Sequence, residues 1–181
     1  MPTALAVAAL CALFAPPTHA GLDLTWSACN RSSAPGTDDD IFLMLFKGIA
    51  MPALQIFKPD VVVGQFGTDS FATDPLTHLR LTNNGYIEAI ELLHRSHPRL
   101  LALGGGGYNM QDVERGWTLL WAELAGVKLG DEYIGSLGGV FLGDSSLPGS
   151  DLRDMHAYTT GPEKDRIFVR ARELIEHFEG E

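Results

Sequence analysis

A chain of 181 residues with 45% hydrophobic and 20% charged residues has the make-up of one globular domain, and nothing in it suggests a second. Its 13 basic against 23 acidic residues leave a formal net charge of -10. This excludes broad electrostatic attachment to nucleic acid, which needs clustered Lys and Arg, and leaves a cationic substrate compatible.

Cys11 and Cys29 are the only cysteines. They supply neither a disulfide framework nor a C-x-x-C pair, so a metal here would be held by His, Asp or Glu. The opening stretch has an apolar run from Ala4 to Ala15, then Pro16 and Pro17, then the small-residue ending Thr18-His19-Ala20. The run is too short to span a bilayer, so no membrane association is expected. It resembles a signal peptide but has no Lys or Arg ahead of it. Residues 1–34 are therefore expected to be a leader or a segment foreign to the fold, mostly disordered, in a cytoplasmic protein.

Ordered structure is expected from about Pro35. Thr37 or Asp38 can cap a helix, Asp38 to Asp40 place negative charge at its positive end, and the apolar run to Phe57 predicts a largely buried helix. Lys58-Pro59-Asp60 ends it. Val61, Val62 and Val63, continuing to Gly67, read as a buried parallel strand. Tyr86, Ile87, Ile90 and Leu93 recur at helical spacing from Thr82 until Pro98, and Leu100 to Leu103 is a second short strand closed by four glycines. A third helix is predicted from about Asn109 or Gln111 to Ala125, with Gly126 placed to end it. Residues 127–162 read as a long surface excursion with short helical turns, and 162–178 as a last helix. Helix, strand, helix, strand, helix implies an α/β fold, a layered parallel sheet with helices on both faces, whose functional residues sit at the carboxyl ends of the strands.

Two segments fall at such ends. Gln65-Phe66-Gly67-Thr68-Asp69-Ser70 follows the first strand. Asp69, on a turn opened by Gly67, is placed either to coordinate a cation or simply to cap the turn. Gly104 to Gly107 follow the second strand and permit close approach of a ligand to the backbone. They match no G-x-G-x-x-G or G-K-[ST] pattern, which argues against nucleotide. Tyr108 can offer its phenolic proton to an oxyanion, or can be an aromatic packed on the sheet end.

PDVVVGQFGTDSFATDPLTHLRLTNNGY followed by LLALGGGGYNMQDVERGWTLLWAEL resembles the C-terminal half of the histone deacetylase and acetoin-utilisation family. The resemblance is strong from about Pro35 to Gly126 and weaker onward. It rests on G-x-D-S, D-P-L, L-T-x-x-G-Y and G-G-G-G-Y in order. It implies a partial arginase/deacetylase-like fold over residues 35–181 and zinc-dependent hydrolysis of an acetyl amide, on acetyl-lysine or an acetylated small amine. Asp69 then matches a zinc ligand and Tyr108 the oxyanion-stabilising tyrosine. Gly105, Gly106 and Gly107 match the loop lining the substrate tunnel.

The remaining zinc ligands and a proton-handling histidine pair come, in this family, from an upstream D-x-D-x-H-H-G run. The six histidines here, His19, His78, His94, His97, His156 and His177, are never adjacent and supply no such run. The resemblance therefore implies an incomplete site and a missing N-terminal half. A non-catalytic remnant or binding partner is the alternative, and a secreted binding protein is a third reading that requires the leader to be a true signal.

Overall fold

The computed structural model describes residues 5–9, 21–25, 35–129, 152–154 and 159–179, the first two segments by their backbone. Four parallel strands form its sheet in the order β2-β1-β3-β4: β1 Leu5–Ala9, β2 Gly21–Thr25, β3 Val61–Gln65 and β4 Leu100–Leu103. Five helical segments accompany it: α1 Asp39–Leu45, α2 Met51–Phe57, α3 Asn83–Ser96, α4 Met110–Ala125 and α5 Pro162–Glu179. The protein is an α/β fold built on a parallel sheet.

One expectation is corrected at its outset. Leu5–Ala9 pairs with both β2 and β3, so ten residues of the segment expected to be foreign and disordered are strands of the main sheet. An apolar run of strand length between turn residues reads equally as a leader core and as a buried parallel strand, so composition alone did not reveal the pairing with β3. Most of the excursion expected over 127–162 lies outside the described residues.

The helix starts and stops follow from local chemistry. Asp38 caps α1, accepting from the Ile41 N–H at 3.3 Å. Thr82 caps α3 through Asn84, and Asn109 caps α4 through Gln111 at 3.2 Å. Gly126 ends α4 at φ 66, and Lys58 ends α2 at φ 51, a conformation few non-glycine residues adopt. Between α1 and α2 the helix widens into a π-turn over Phe46–Ala50, where the Met51 N–H reaches back to the Phe46 carbonyl. Pro52 follows, lacking an N–H and crowding the carbonyl four residues earlier, so a widened turn lets the helix pass it without breaking. The expectation of a largely buried helix holds for α1. In α2 only Leu54 is buried.

The main core gathers Phe42, Phe46 and Leu54 with Val62 of β3, Phe66 just after it, Tyr86, Ile90 and Leu93 of α3, and Leu119 and Leu120 of α4. A smaller cluster joins Ile41 and Leu45 to Ile167 and Ala171, seating α5 on α1. By length and composition the stretch Asp39–Phe57 also passes as a membrane span, but its apolar side forms this core. Along β4, Leu100 and Ala102 pack toward the core while Leu101 and Leu103 alternate to the other, exposed face.

Candidate active site

β3 and β4 are neighbours in register, so their carboxyl ends, and the loops that follow, lie side by side. The Phe66 N–H donates to the Leu103 carbonyl at 2.9 Å, after which the two chains stay in contact as irregular backbone. Thr68 N–H donates to the Gly106 carbonyl at 2.7 Å. This contact needs glycine. A Cβ on Gly105 would stand 2.6 Å from the Gly67 nitrogen, and one on Gly67 would stand 2.8 Å from the Gly106 nitrogen and oxygen. The strand end is pinned from behind, because the Phe66 carbonyl accepts from both the Tyr86 hydroxyl (3.1 Å) and the Trp117 indole N–H (3.0 Å).

Asp69 is half-buried, and its Oδ1 is a buried oxygen with no hydrogen-bond partner among the described residues; Thr68 Oγ1 and Ser70 Oγ are in the same state. Buried acceptors are nearly always satisfied, so an orphaned carboxylate oxygen calls for a ligand or a water. Gly106 backs directly onto this carboxylate.

Tyr108 follows Gly107, whose φ of +147 is closed to ordinary side chains. Its side chain is 59% exposed. Its N–H donates to Asp74 Oδ2 at 2.8 Å, while Asp74 Oδ1 accepts from the Leu76 N–H at 2.9 Å. Next to it, the Thr73 hydroxyl donates to Asp112, and the Asn109 side-chain amide donates to the Thr73 carbonyl at 3.4 Å. Burial pushes the Asp112 carboxyl above the ordinary carboxylate value, against the lowering effect of the Thr73 hydrogen bond.

The five residues singled out in the sequence, Asp69, Gly105, Gly106, Gly107 and Tyr108, thus lie on two loops in direct contact. Asp74, Thr73 and Asp112 were missed. Asp-Pro is a visible turn signal, and Asp74 does close such a turn on Leu76, but its reach to Tyr108 has no local sign. His78 contributes its backbone carbonyl to the Gly36 N–H at 2.8 Å. A depression among Pro59, Asp60, His97 and Arg99 lies at the opposite ends of β3 and β4, away from these residues.

The donor set fits one corner of a zinc site. Asp69 offers a carboxylate oxygen without an internal donor, whereas among the described residues no group of three or more His, Cys, Asp or Glu comes together.

Residues 17–124 match the histone deacetylase domain. The chain belongs to the histone deacetylase family. The match begins upstream of Pro35, within the stretch that contributes β2. Among curated relatives, the acetoin utilization protein AcuC of Bacillus subtilis is 39% identical over 102 residues, covering 53% of this chain and 26% of that protein. Histone deacetylase 1 of Homo sapiens is 35% identical over 91 residues, covering 50% of this chain and 19% of that protein. The chain therefore aligns with about a quarter or less of the length of these relatives. A solved structure of an HDAC homolog from Aquifex aeolicus superposes with a TM-score of 0.62 at 22% identity, over 84% of this chain and 42% of that one, a likeness of fold.

Proposed function

We propose that the chain carries the C-terminal part of a zinc-dependent deacetylase site that hydrolyses the acetyl amide of acetyl-lysine or of an acetylated small amine. The observation that carries this reading is the buried, unpartnered Oδ1 of Asp69, set against the glycine loop that delivers Tyr108. A carboxylate oxygen with no donor of its own suits direct coordination of zinc. When bound, zinc supplies a Lewis acid and a water of lowered pKa.

The chain's own groups supply part of the remaining chemistry. Asp69 would supply one carboxylate ligand to the metal. Tyr108, exposed and following a glycine turn, directs its O–H at the oxyanion that forms as the amide carbon becomes tetrahedral. Gly105, Gly106 and Gly107 leave a backbone wall without side chains along which an acetylated arm can lie. The net charge of -10 suits a cationic substrate. The other zinc ligands and the general base must come from a segment carrying D-x-D-x-H-H-G, which this sequence does not contain. On this reading the chain alone neither retains stoichiometric zinc nor turns over substrate, because one carboxylate cannot hold zinc against water.

The test is complementation. The chain is co-expressed with an N-terminal deacetylase segment bearing that run, zinc is measured by plasma mass spectrometry, and acetyl-lysine peptide and acetylated polyamine are assayed. Zinc and activity are expected in the assembly only, abolished by Asp69→Ala and lowered roughly 10²- to 10³-fold by Tyr108→Phe, the usual cost of one oxyanion donor. Zinc-dependent turnover by the lone chain, lost on Asp69→Ala, would overturn the incomplete-site reading. An assembly with neither zinc nor activity would overturn the deacetylase reading.

A further inference from the structure

We infer that Asp74 is the positioning residue for Tyr108, an inference that rests on the deacetylase reading for its catalytic consequence. Asp74 is only 5% exposed, and its two carboxylate oxygens have separate tasks. Oδ1 accepts the Leu76 N–H at 2.9 Å and closes a turn within its own loop. Oδ2 accepts the Tyr108 N–H at 2.8 Å, across to the loop after the neighbouring strand.

Gly107 before Tyr108, at φ +147, is the most freely rotating residue type, and the tyrosine side chain is 59% exposed, so burial does not anchor it. The backbone N–H is therefore a fixed point from which the phenol is aimed, beside the packing of Gly107 against Thr68 and Val113. An N–H bonded to an ionised carboxylate is among the stronger hydrogen bonds available there. The adjacent Thr73 braces the same junction, through Asp112 and through Asn109, which follows Tyr108.

Asparagine at 74 matches aspartate in size but has a single acceptor oxygen, so Asp74→Asn can satisfy Leu76 or Tyr108 and not both. Two measurements decide. The first is hydrogen–deuterium exchange of the full chain, read at single amides by mass spectrometry. In the wild type the Tyr108 amide is expected to be protected despite its exposed side chain. Asp74→Asn should speed exchange at Tyr108 or Leu76 by about ten-fold or more, the scale of one lost hydrogen bond, leaving Ile90 of the core unchanged. Wild-type exchange at Tyr108 as fast as in an open peptide overturns the inference, with no variant needed.

The second is a double-mutant cycle in the complemented enzyme. Asp74→Ala, which removes both acceptor oxygens, should lower kcat about ten-fold with KM within about two-fold, and should cost nothing further in the Tyr108→Phe background; an unchanged kcat overturns the inference. An equal loss in both backgrounds means that Asp74 acts independently of Tyr108 and overturns the inference. Should the wild-type assembly be inactive, the deacetylase reading fails by itself and the exchange result alone decides whether Asp74 anchors Tyr108.

Discussion

Gly106 sits so close to Asp69 that a Cβ on the glycine would stand 2.2 Å from Oδ2 and 2.8 Å from Cγ of the carboxylate. The absence of a side chain at 106 is thus part of how Asp69 is oriented, since the backbone of one loop forms the wall against which the carboxylate of the other rests. Gly106→Ala is expected to push the carboxylate aside or the loops apart. Overpacking of this kind costs about 1–3 kcal/mol, so the chain should still fold with a lowered melting temperature. In the complemented enzyme zinc affinity should fall roughly 10- to 100-fold, as when the support of a metal ligand is removed. Unchanged affinity by competition with a chelating dye would show that the carboxylate does not depend on this wall.

Asp39 yields a pH prediction. It lies buried at the start of α1, accepting from the Thr82 N–H (2.7 Å) and the Thr82 hydroxyl (2.5 Å). Burial raises its pKa above the ordinary 3.8, and the hydrogen bonds from Thr82 offset only part of that. With the folded value raised, the native state binds a proton more readily than the unfolded chain does. The contribution of Asp39 to stability is thus fully present below the unfolded value and is lost as pH rises through the folded one. Urea melts at a series of pH values should show wild type losing stability relative to Asp39→Asn over that window. A flat difference curve would refute the shift.

Most of the element order was legible because the signals were local: capping Asp38, Thr82 and Asn109, the terminating Gly126, and β-branched Val61 to Val63. The helix and strand alternation set the two candidate loops at the same end of one parallel sheet, but their direct contact was not legible, since nothing in G-T-D-S or G-G-G-G-Y by itself says that the two strands are neighbours. Leu5–Ala9 was misread because strand and leader share one composition, and only pairing with β3 separates them. Asp74 stayed hidden for a related reason. A carboxylate that closes a local turn with one oxygen shows no sign of what the other oxygen meets thirty-four residues on.

α5 offers a test of how the C-terminal part is held. Ile167 is buried against Ile41 and Leu45, and Lys164 pairs with Asp38 at 3.1 Å and Asp40 at 3.0 Å. Apolar packing should dominate, because Asp40 is exposed and its pair with Lys164 contributes little, while the buried Asp38 carboxylate keeps the Ile41 and Thr159 N–H groups as donors without Lys164. Ile167→Ala is expected to cost about 2–4 kcal/mol in urea denaturation. Lys164→Met should cost less. The reverse order would mean that the buried carboxylate of Asp38 depends on Lys164 more than α5 depends on its apolar face.

The last prediction concerns the sheet. Parallel strands are normally covered on both faces, and Val61 to Val63 and Leu100 to Leu103 carry the apolar composition such burial demands. Among the described residues the helices cover one face, toward which Val62, Leu100 and Ala102 point. On the other, Leu101 is 53% and Leu103 47% exposed, and the register sets Leu101 beside Val63. β4 is also the last strand of the described sheet, so an unpaired edge adjoins an apolar face, the combination that favours association between chains. The isolated chain is therefore expected to self-associate with increasing concentration in sedimentation velocity. Leu101→Lys with Leu103→Lys should shift it toward monomer, because a charge on each exposed position opposes stacking of two such faces while the core side of β4 is untouched. The circular dichroism should not change. A wild-type chain that sediments as a single monomeric species across the concentration range would show that this face is not adhesive, and the charge substitutions would then have nothing to relieve.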